Sequence, residues 1–194
     1  MSITARRLYG PSVLAGLAVG GVAFFAAGRV WGTTQVLASG LPSDTVTVTG
    51  TEALPVVSAL ALVIVAGSIA VLAASARLRR IVGAVLVITG LVGAVLAFRY
   101  DGPVLDALGT AVNESPAFTG NNTPDVHGMT SWPIIAAVAF VLAAILGVLV
   151  VTYGPRWPTM GRKYDSPSAR TSAENPESES DLWKALDEGR DPTQ

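Results

Sequence analysis

The sequence contains no cysteine and a single histidine, His127, among its 194 residues. The missing cysteines exclude disulfide bonds, thiolate nucleophiles and cysteine-ligated zinc or iron–sulfur centres. One histidine leaves no histidine-rich metal site. Charged residues are also scarce, at 14% against the roughly 25% of ordinary globular chains. This composition argues against a soluble enzyme built around one core.

Apolar residues, in contrast, are abundant at 51%, and they gather in four blocks at about 11–31, 55–76, 81–98 and 133–153. Each block approaches the roughly 20 helical residues that cross a bilayer core. In lipid the backbone must satisfy its own hydrogen bonds, so the blocks should be helices. We therefore predict an all-α membrane protein: a four-transmembrane-helix bundle over residues 1–153, followed by a tail over 154–194.

The first block has an alternative interpretation as a cleaved signal peptide. Arg6 and Arg7 precede the apolar stretch, and Ala26-Ala27-Gly28 resembles a cleavage site. However, the stretch of about 17 apolar residues exceeds the usual 7–15 of a signal core. The sequence therefore favours a retained first span.

Basic residues lie on one side of this four-span topology. They occur before the first span, in the turn between the second and third, and after the fourth, as Arg6, Arg7, Arg77, Arg79, Arg80, Arg156, Arg162 and Lys163. Cytoplasmic loops carry such an excess of lysine and arginine. We expect both termini in the cytoplasm.

The spans hold small residues four positions apart and few polar ones. The small sets are Gly16 and Gly20; Ala66, Ala70 and Ala74; Gly93 and Ala97; and Ala139, Ala143 and Gly147. Such spacing favours close helix packing. Ionisable groups at the midplane and central prolines, which mark many transport pathways, are missing from the four blocks. The pattern disfavours a transporter that works alone.

Two arginines, Arg29 and Arg99, sit at the outer ends of the first and third spans. Their side chains can reach the headgroups without a partner. Alternatively, they form an outer-loop clip by pairing with carboxylates of the outer loops, namely Asp44, Glu52 or Asp101. Tryptophans and tyrosines near the span ends, Trp31, Tyr100 and Trp132 outside and Tyr9, Tyr153 and Trp157 inside, are typical of an aromatic belt.

The two outer loops differ in pattern. In the first, the runs 33–38 and 45–49 are rich in Thr and Val, and a Gly/Pro/Ser connector separates them, which predicts a small β-hairpin. In the second, Leu105, Leu108 and Val112 have helical spacing and predict a short interfacial helix. The stretch 113–130 is predicted to be irregular.

The C-terminal tail is rich in Pro, Ser and charge, which predicts disorder. A short helical motif at about 181–188 follows, capped by Ser180 and stopped by Gly189. So short a helix orders only when docked. The candidate partner-binding residues are Leu182, Trp183, Leu186, Asp191 and Pro192. The alternative is a frayed tail that binds nothing.

Several stretches of the sequence resemble one family. They are Trp31, Val48-Thr-Gly50, Ala53-Leu-Pro55, Pro158-Thr-Met-Gly-Arg-Lys-Tyr-Asp165 and Asp181-Leu-Trp-Lys-Ala-Leu-Asp-Glu-Gly-Arg-Asp-Pro-Thr193. The chain is similar to the actinobacterial tryptophan-operon-associated, or tryptophan-biosynthesis-associated, conserved membrane proteins. The resemblance implies a multi-pass plasma-membrane protein with a link to tryptophan metabolism. The family has no established reaction, so the resemblance gives no catalytic residue to carry over.

We expect a non-enzymatic scaffold or accessory subunit that engages a partner through its tail and outer loops. The alternative is a component that transports tryptophan or a related aromatic metabolite. We expect no catalytic, cofactor-binding or metal-binding residues, because no acid/base or nucleophilic set can be assembled from the chain. The lipid bilayer is the expected environment, and the net charge of −1 gives no bias toward nucleic acid.

Overall fold

The computed structural model describes residues 9–36, 44–115 and 125–157, with the backbone alone at 125–127. The elements in chain order are α1 (Tyr9–Ala27), β1 (Val30–Val36), β2 (Asp44–Thr49), α2 (Gly50–Ala53), α3 (Pro55–Ala73), α4 (Ala76–Phe98), α5 (Asp101–Glu114), β3 (Asp125–Met129) and α6 (Trp132–Tyr153), with a 3-10 turn at Gly154–Arg156.

Within these ranges four helices, α1, α3, α4 and α6, are long and apolar enough to cross a membrane. The predicted four-helix membrane bundle is confirmed. Helix α1 packs against α3 and α6, and α4 packs against the same two helices, so the four form a closed ring. Pro55 and Pro133 lie in the first turns of α3 and α6. A proline is tolerated there because an N–H in the first turn has no partner within the helix.

Glycines bring α4 and α6 into close contact. A methyl group at Gly90 would lie 2.6 Å from the backbone nitrogen of Ala144 and 2.7 Å from the carbonyl oxygen of Phe140. At Gly147 a methyl group would lie 2.7 Å from the backbone nitrogen of Val87. The two backbones therefore touch without side chains between them, as small residues allow in membrane helices.

The small residues of α3 do not behave as predicted. Ala66 and Ala70 are exposed, so the predicted stripe through them is wrong. The buried face instead carries Val57, Ala61, Ile64, Ser68 and Val71. Opposite it, Gly16 and Gly20 of α1 approach α3 closely, as their spacing predicted. A helix rich in alanine has small residues on several faces, so spacing alone does not select one.

The predicted hairpin is confirmed, and it belongs to a three-stranded antiparallel sheet in the order β2-β1-β3. The connector at 37–43 lies outside the described residues. The prediction of an irregular stretch at 113–130 is wrong where β3 forms. In the strand Asp125–Met129 the alternation of polar and apolar residues is interrupted at Gly128, and its partner β1 is distant in sequence, so no local pattern reveals it.

Helix α5 covers this sheet. Its buried residues are Val104, Leu108 and Val112. A methyl group at Gly32 of β1 would lie 2.6 Å from a methyl carbon of Val104, so this glycine makes room for the helix. The predicted helix is confirmed, although Leu105 is exposed and Val104 takes its place in the buried face. Sheet and helix form a small layer at one end of the bundle, called the sheet end below.

Candidate functional site

A buried arginine lies at the opposite end of the bundle, in the first turn of α4. Arg79 is 1% exposed, whereas its neighbours Arg77 and Arg80 are exposed. In the sequence all three are basic residues of the predicted turn between the second and third spans. The structure separates Arg79 from the other two because it lies on the buried face of α4, in phase with Gly83, Leu86, Gly90 and Gly93.

The guanidinium of Arg79 donates hydrogen bonds to backbone carbonyls from two parts of the chain. Its Nε donates to the oxygen of Val71 at 3.2 Å, and its Nη1 donates to the oxygens of Gly154 at 3.3 Å and Trp157 at 3.2 Å. The last carbonyls of a helix have no partner within it, and an arginine can satisfy them. Arg79 therefore ties the end of α3 to the turn that follows α6.

Two aromatic rings complete this arrangement. The Tyr9 ring lies 5.2 Å from the Arg79 guanidinium and 5.4 Å from the Trp157 ring, in an edge-on contact. The Tyr9 hydroxyl donates to the carbonyl of Leu72 at 3.1 Å. Arg79, Tyr9 and Trp157, with the carbonyls of Val71 and Gly154, are called the arginine clamp below. The clamp joins α1, α3, α4 and the segment after α6.

The prediction of an aromatic belt at the membrane surface is wrong for Trp31 and Trp157. Trp157 is 3% exposed and belongs to the clamp. Trp31 is 0% exposed, and its Nε1 donates to the carbonyl of Ala26 at 2.9 Å. The chain leaves the helical path after Ala27 and continues as β1, which carries Trp31 into the core of the sheet end.

The arginines and carboxylates of the predicted outer-loop clip all lie in the described ranges. Arg29 and Arg99 are both exposed, and within the described ranges neither forms an ion pair with Asp44, Glu52 or Asp101. Instead, the Arg29 guanidinium lies 4.0 Å from the centre of the Phe25 ring. The clip stays a prediction.

The candidate partner-binding residues of the tail and its helical motif lie outside the described residues. They are Leu182, Trp183, Leu186, Asp191 and Pro192. Gly154 and Trp157, at the start of the tail, both accept hydrogen bonds from Arg79 in the clamp.

The interior of the bundle offers little polar chemistry in the described part of the chain. Its buried polar side chains within the spans are Ser68, Arg79 and Thr89. Ser68 donates to the carbonyl of Ile64 one turn back, at 2.8 Å, as expected for a serine in a membrane helix. A crevice beside Ser68 has a volume of about 10 Å³, room for roughly one water molecule.

The two buried tryptophans make a matched test of hydrogen bonding. Among the described buried side-chain polar atoms, Nε1 of Trp157 is without a partner, whereas Nε1 of Trp31 is bonded. Trp157→Phe and Trp31→Phe remove the same ring volume, but only Trp31→Phe loses a hydrogen bond. We expect Trp31→Phe to be less stable than Trp157→Phe by about 1 kcal/mol. Thermal unfolding in detergent micelles measures the difference, and equal losses would contradict the assignment.

Comparison with known proteins agrees with this architecture. The family model described as tryptophan-associated transmembrane protein matches residues 13–193, from the second turn of α1 through the tail. No curated protein and no solved structure matches the chain. The match covers most of the sequence and both ends of the bundle, and it confirms the resemblance found in the sequence. The chain therefore belongs to the family of tryptophan-associated transmembrane proteins.

Proposed function

We propose that this protein is a non-enzymatic scaffold or accessory subunit of the plasma membrane. Its four helices anchor it, its C-terminal tail binds a partner in the cytoplasm, and its outer loops contact a second envelope component. The orientation follows from the basic residues, which mark the clamp end as cytoplasmic. The observation that carries the proposal is the arginine clamp, which holds the start of the tail.

The clamp supports this function because it provides a firm base for the tail. Gly154 and Trp157 are held by hydrogen bonds from Arg79, a residue 75 and 78 positions earlier in the chain. A partner bound to the tail is thereby connected to the bundle through the clamp. Because the clamp is part of the membrane bundle, a partner bound to the tail is kept near the membrane, which raises its effective concentration there.

The sheet end supports a second contact surface. The layer of α5 on the sheet is packed, with Val104 and Leu108 in the core of the bundle and Val36 and Val112 in a smaller cluster. The described parts of the outer loops are thus held in a packed layer. A fixed surface binds without the entropic cost of ordering, which suits a subunit of a larger assembly.

Binding of a cytoplasmic partner by the tail can be tested directly. Full-length protein, a truncation lacking residues 178–194, and a Leu182→Ala/Trp183→Ala variant are used as bait after crosslinking in membranes. We expect both changes to lower recovery of the cytoplasmic partner about tenfold or more, since buried Trp and Leu anchors carry much of the energy of such contacts. Thr171→Ala/Ser172→Ala in the same tail is the matched control and should bind normally.

Equal recovery from all four forms would overturn the tail-mediated scaffold. The alternative function, transport of tryptophan or a related aromatic metabolite, is favoured by the family's description as tryptophan-associated. It predicts that deleting the gene changes uptake or efflux of labelled tryptophan while the tail variants leave transport intact. The scaffold function predicts that the purified protein in proteoliposomes leaves the flux of labelled tryptophan equal to that of liposomes without protein.

A further inference from the structure

Arg29 lies at the sheet end, two residues after the end of α1, with its guanidinium held between aromatic rings. The guanidinium carbon is 4.0 Å from the centre of the Phe25 ring and 5.6 Å from that of Trp132. The two rings are 5.9 Å apart and meet edge-on. Cation–π contact with two rings orients the charged group before any ligand arrives.

The backbone around Arg29 is also fixed. Its carbonyl accepts from the amide of Gly50 at 3.1 Å, and its amide donates to the carbonyl of Ala26 at 3.2 Å. Beside it, the hydroxyl of Thr130 donates to the carbonyl of Val30 at 2.7 Å, which holds the start of α6 next to β1. The backbone of Arg29 and the start of α6, which carries Trp132, are therefore held close together.

The carboxylates closest in the loop sequence are engaged elsewhere. Glu52 accepts hydrogen bonds from the amide and hydroxyl of Thr49, at 2.7 and 2.9 Å, in a capping box at the start of α2. Asp44 accepts from the hydroxyl of Ser115 at 2.7 Å. In the ranges that the structure covers, no carboxylate lies within ion-pair distance of Arg29, and its positive charge is available to an external anion.

The surroundings of Arg29 place that anion at the membrane surface. Below it, α1 exposes Phe24 and Phe25, and α6 exposes Ile134 and Val138. Such apolar surface faces acyl chains in a membrane helix. Arg29 stands where this surface ends and β1 begins, which is the depth at which arginine side chains meet headgroups.

We propose that Arg29, supported by Phe25 and Trp132, binds the phosphate of an anionic phospholipid headgroup. A guanidinium presents several N–H donors in one plane and matches the oxygens of a phosphate. A headgroup with a net negative charge is preferred, because a zwitterionic headgroup brings its own ammonium and gains less from a single arginine. This inference does not depend on the scaffold function.

Native mass spectrometry of the full chain with phosphatidylglycerol tests the proposal, with phosphatidylcholine as the comparison lipid. We expect Arg29→Gln to lower retention of phosphatidylglycerol about tenfold, because the variant loses one charge-assisted contact. Arg99→Gln is the matched control, because Arg99 is likewise an exposed arginine at the sheet end, and should retain the lipid. Phe25→Leu keeps the charge, removes one supporting ring and should give an intermediate loss.

Competition with inorganic phosphate distinguishes a lipid headgroup from a soluble anion as the ligand of Arg29. An excess of it should leave lipid retention unchanged, because the acyl chains contribute to binding. Displacement of the lipid by inorganic phosphate would overturn the lipid assignment in favour of a soluble anion. Equal losses in Arg29→Gln and Arg99→Gln would overturn the site itself. A variant enters the comparison only if its melting temperature in micelles matches that of the parent. If Arg29→Gln does not meet this criterion, Arg29→Lys, which keeps the charge, takes its place.

Discussion

Arg79→Ala is expected to lower the free energy of unfolding by about 3 kcal/mol, measured in detergent micelles. The substitution leaves the carbonyls of Val71, Gly154 and Trp157 without the donors that Arg79 provides. Hydrogen bonds to a charged group contribute about 1.5–3 kcal/mol each, and buried acceptors left without partners add to the loss. The segment after α6 should also be released, which limited proteolysis beyond Tyr153 would detect.

The neighbouring arginines supply the control for this variant. Arg77→Ala and Arg80→Ala remove the same charge from the same helix, but both side chains are exposed. Their effect should stay within about 0.5 kcal/mol. Arg79→Lys keeps the charge and loses the planar arrangement of donors, so it should fall between the parent and Arg79→Ala. Equal effects of Arg77→Ala and Arg79→Ala would mean that charge alone, and not the clamp, matters.

Gly90→Ala is expected to destabilise the bundle by about 2 kcal/mol. Its methyl group would lie 2.6 Å from the nitrogen and 2.9 Å from the α-carbon of Ala144. Both atoms belong to the backbone, so α4 and α6 have to separate, and overpacking of this kind costs about 1–3 kcal/mol. The midpoint of thermal unfolding in micelles should fall accordingly.

Gly21→Ala is the matched control for Gly90→Ala. Gly21 lies in the interior of a spanning helix like Gly90, but a methyl group there meets nothing within 4 Å. Alanine is the better helix former by about 1 kcal/mol, so this variant should be as stable as the parent or more stable. A loss of stability at both positions would show that glycine is required for a reason other than the contact between α4 and α6.

The sequence predicted some of the close contacts and missed others for a physical reason. Gly16 and Gly20 were recognised by their spacing, and the structure places them against α3. Ala66 and Ala70 have the same spacing but face outward, because composition does not specify which side of an alanine-rich helix meets a neighbour. Helix contacts depend on the complementary shape of two surfaces, which no single segment contains.

The burial of Arg79 could in part be predicted from the sequence. It continues the period of Gly83, Leu86, Gly90 and Gly93, so a helix starting before Ile81 would have placed it on the packed face. The apolar pattern of the third span begins at Ile81, after the arginines, and charged residues rarely enter a membrane helix. The carbonyl partners from α3 and the segment after α6 were beyond prediction, since they come from distant parts of the chain.

Residue types and their local order alone determined the four spans, the hairpin and the helix of the second outer loop. Length, hydropathy and alternation are properties of contiguous segments. In lipid an apolar segment of that length forms a helix, because its backbone groups must bond to one another. Only the tertiary structure decided that β3 joins the sheet, that α5 covers it, that Trp31 and Trp157 are buried, and that Arg79 holds the segment after α6. Each of these features joins groups far apart in the chain, and their energy arises only when the surfaces meet.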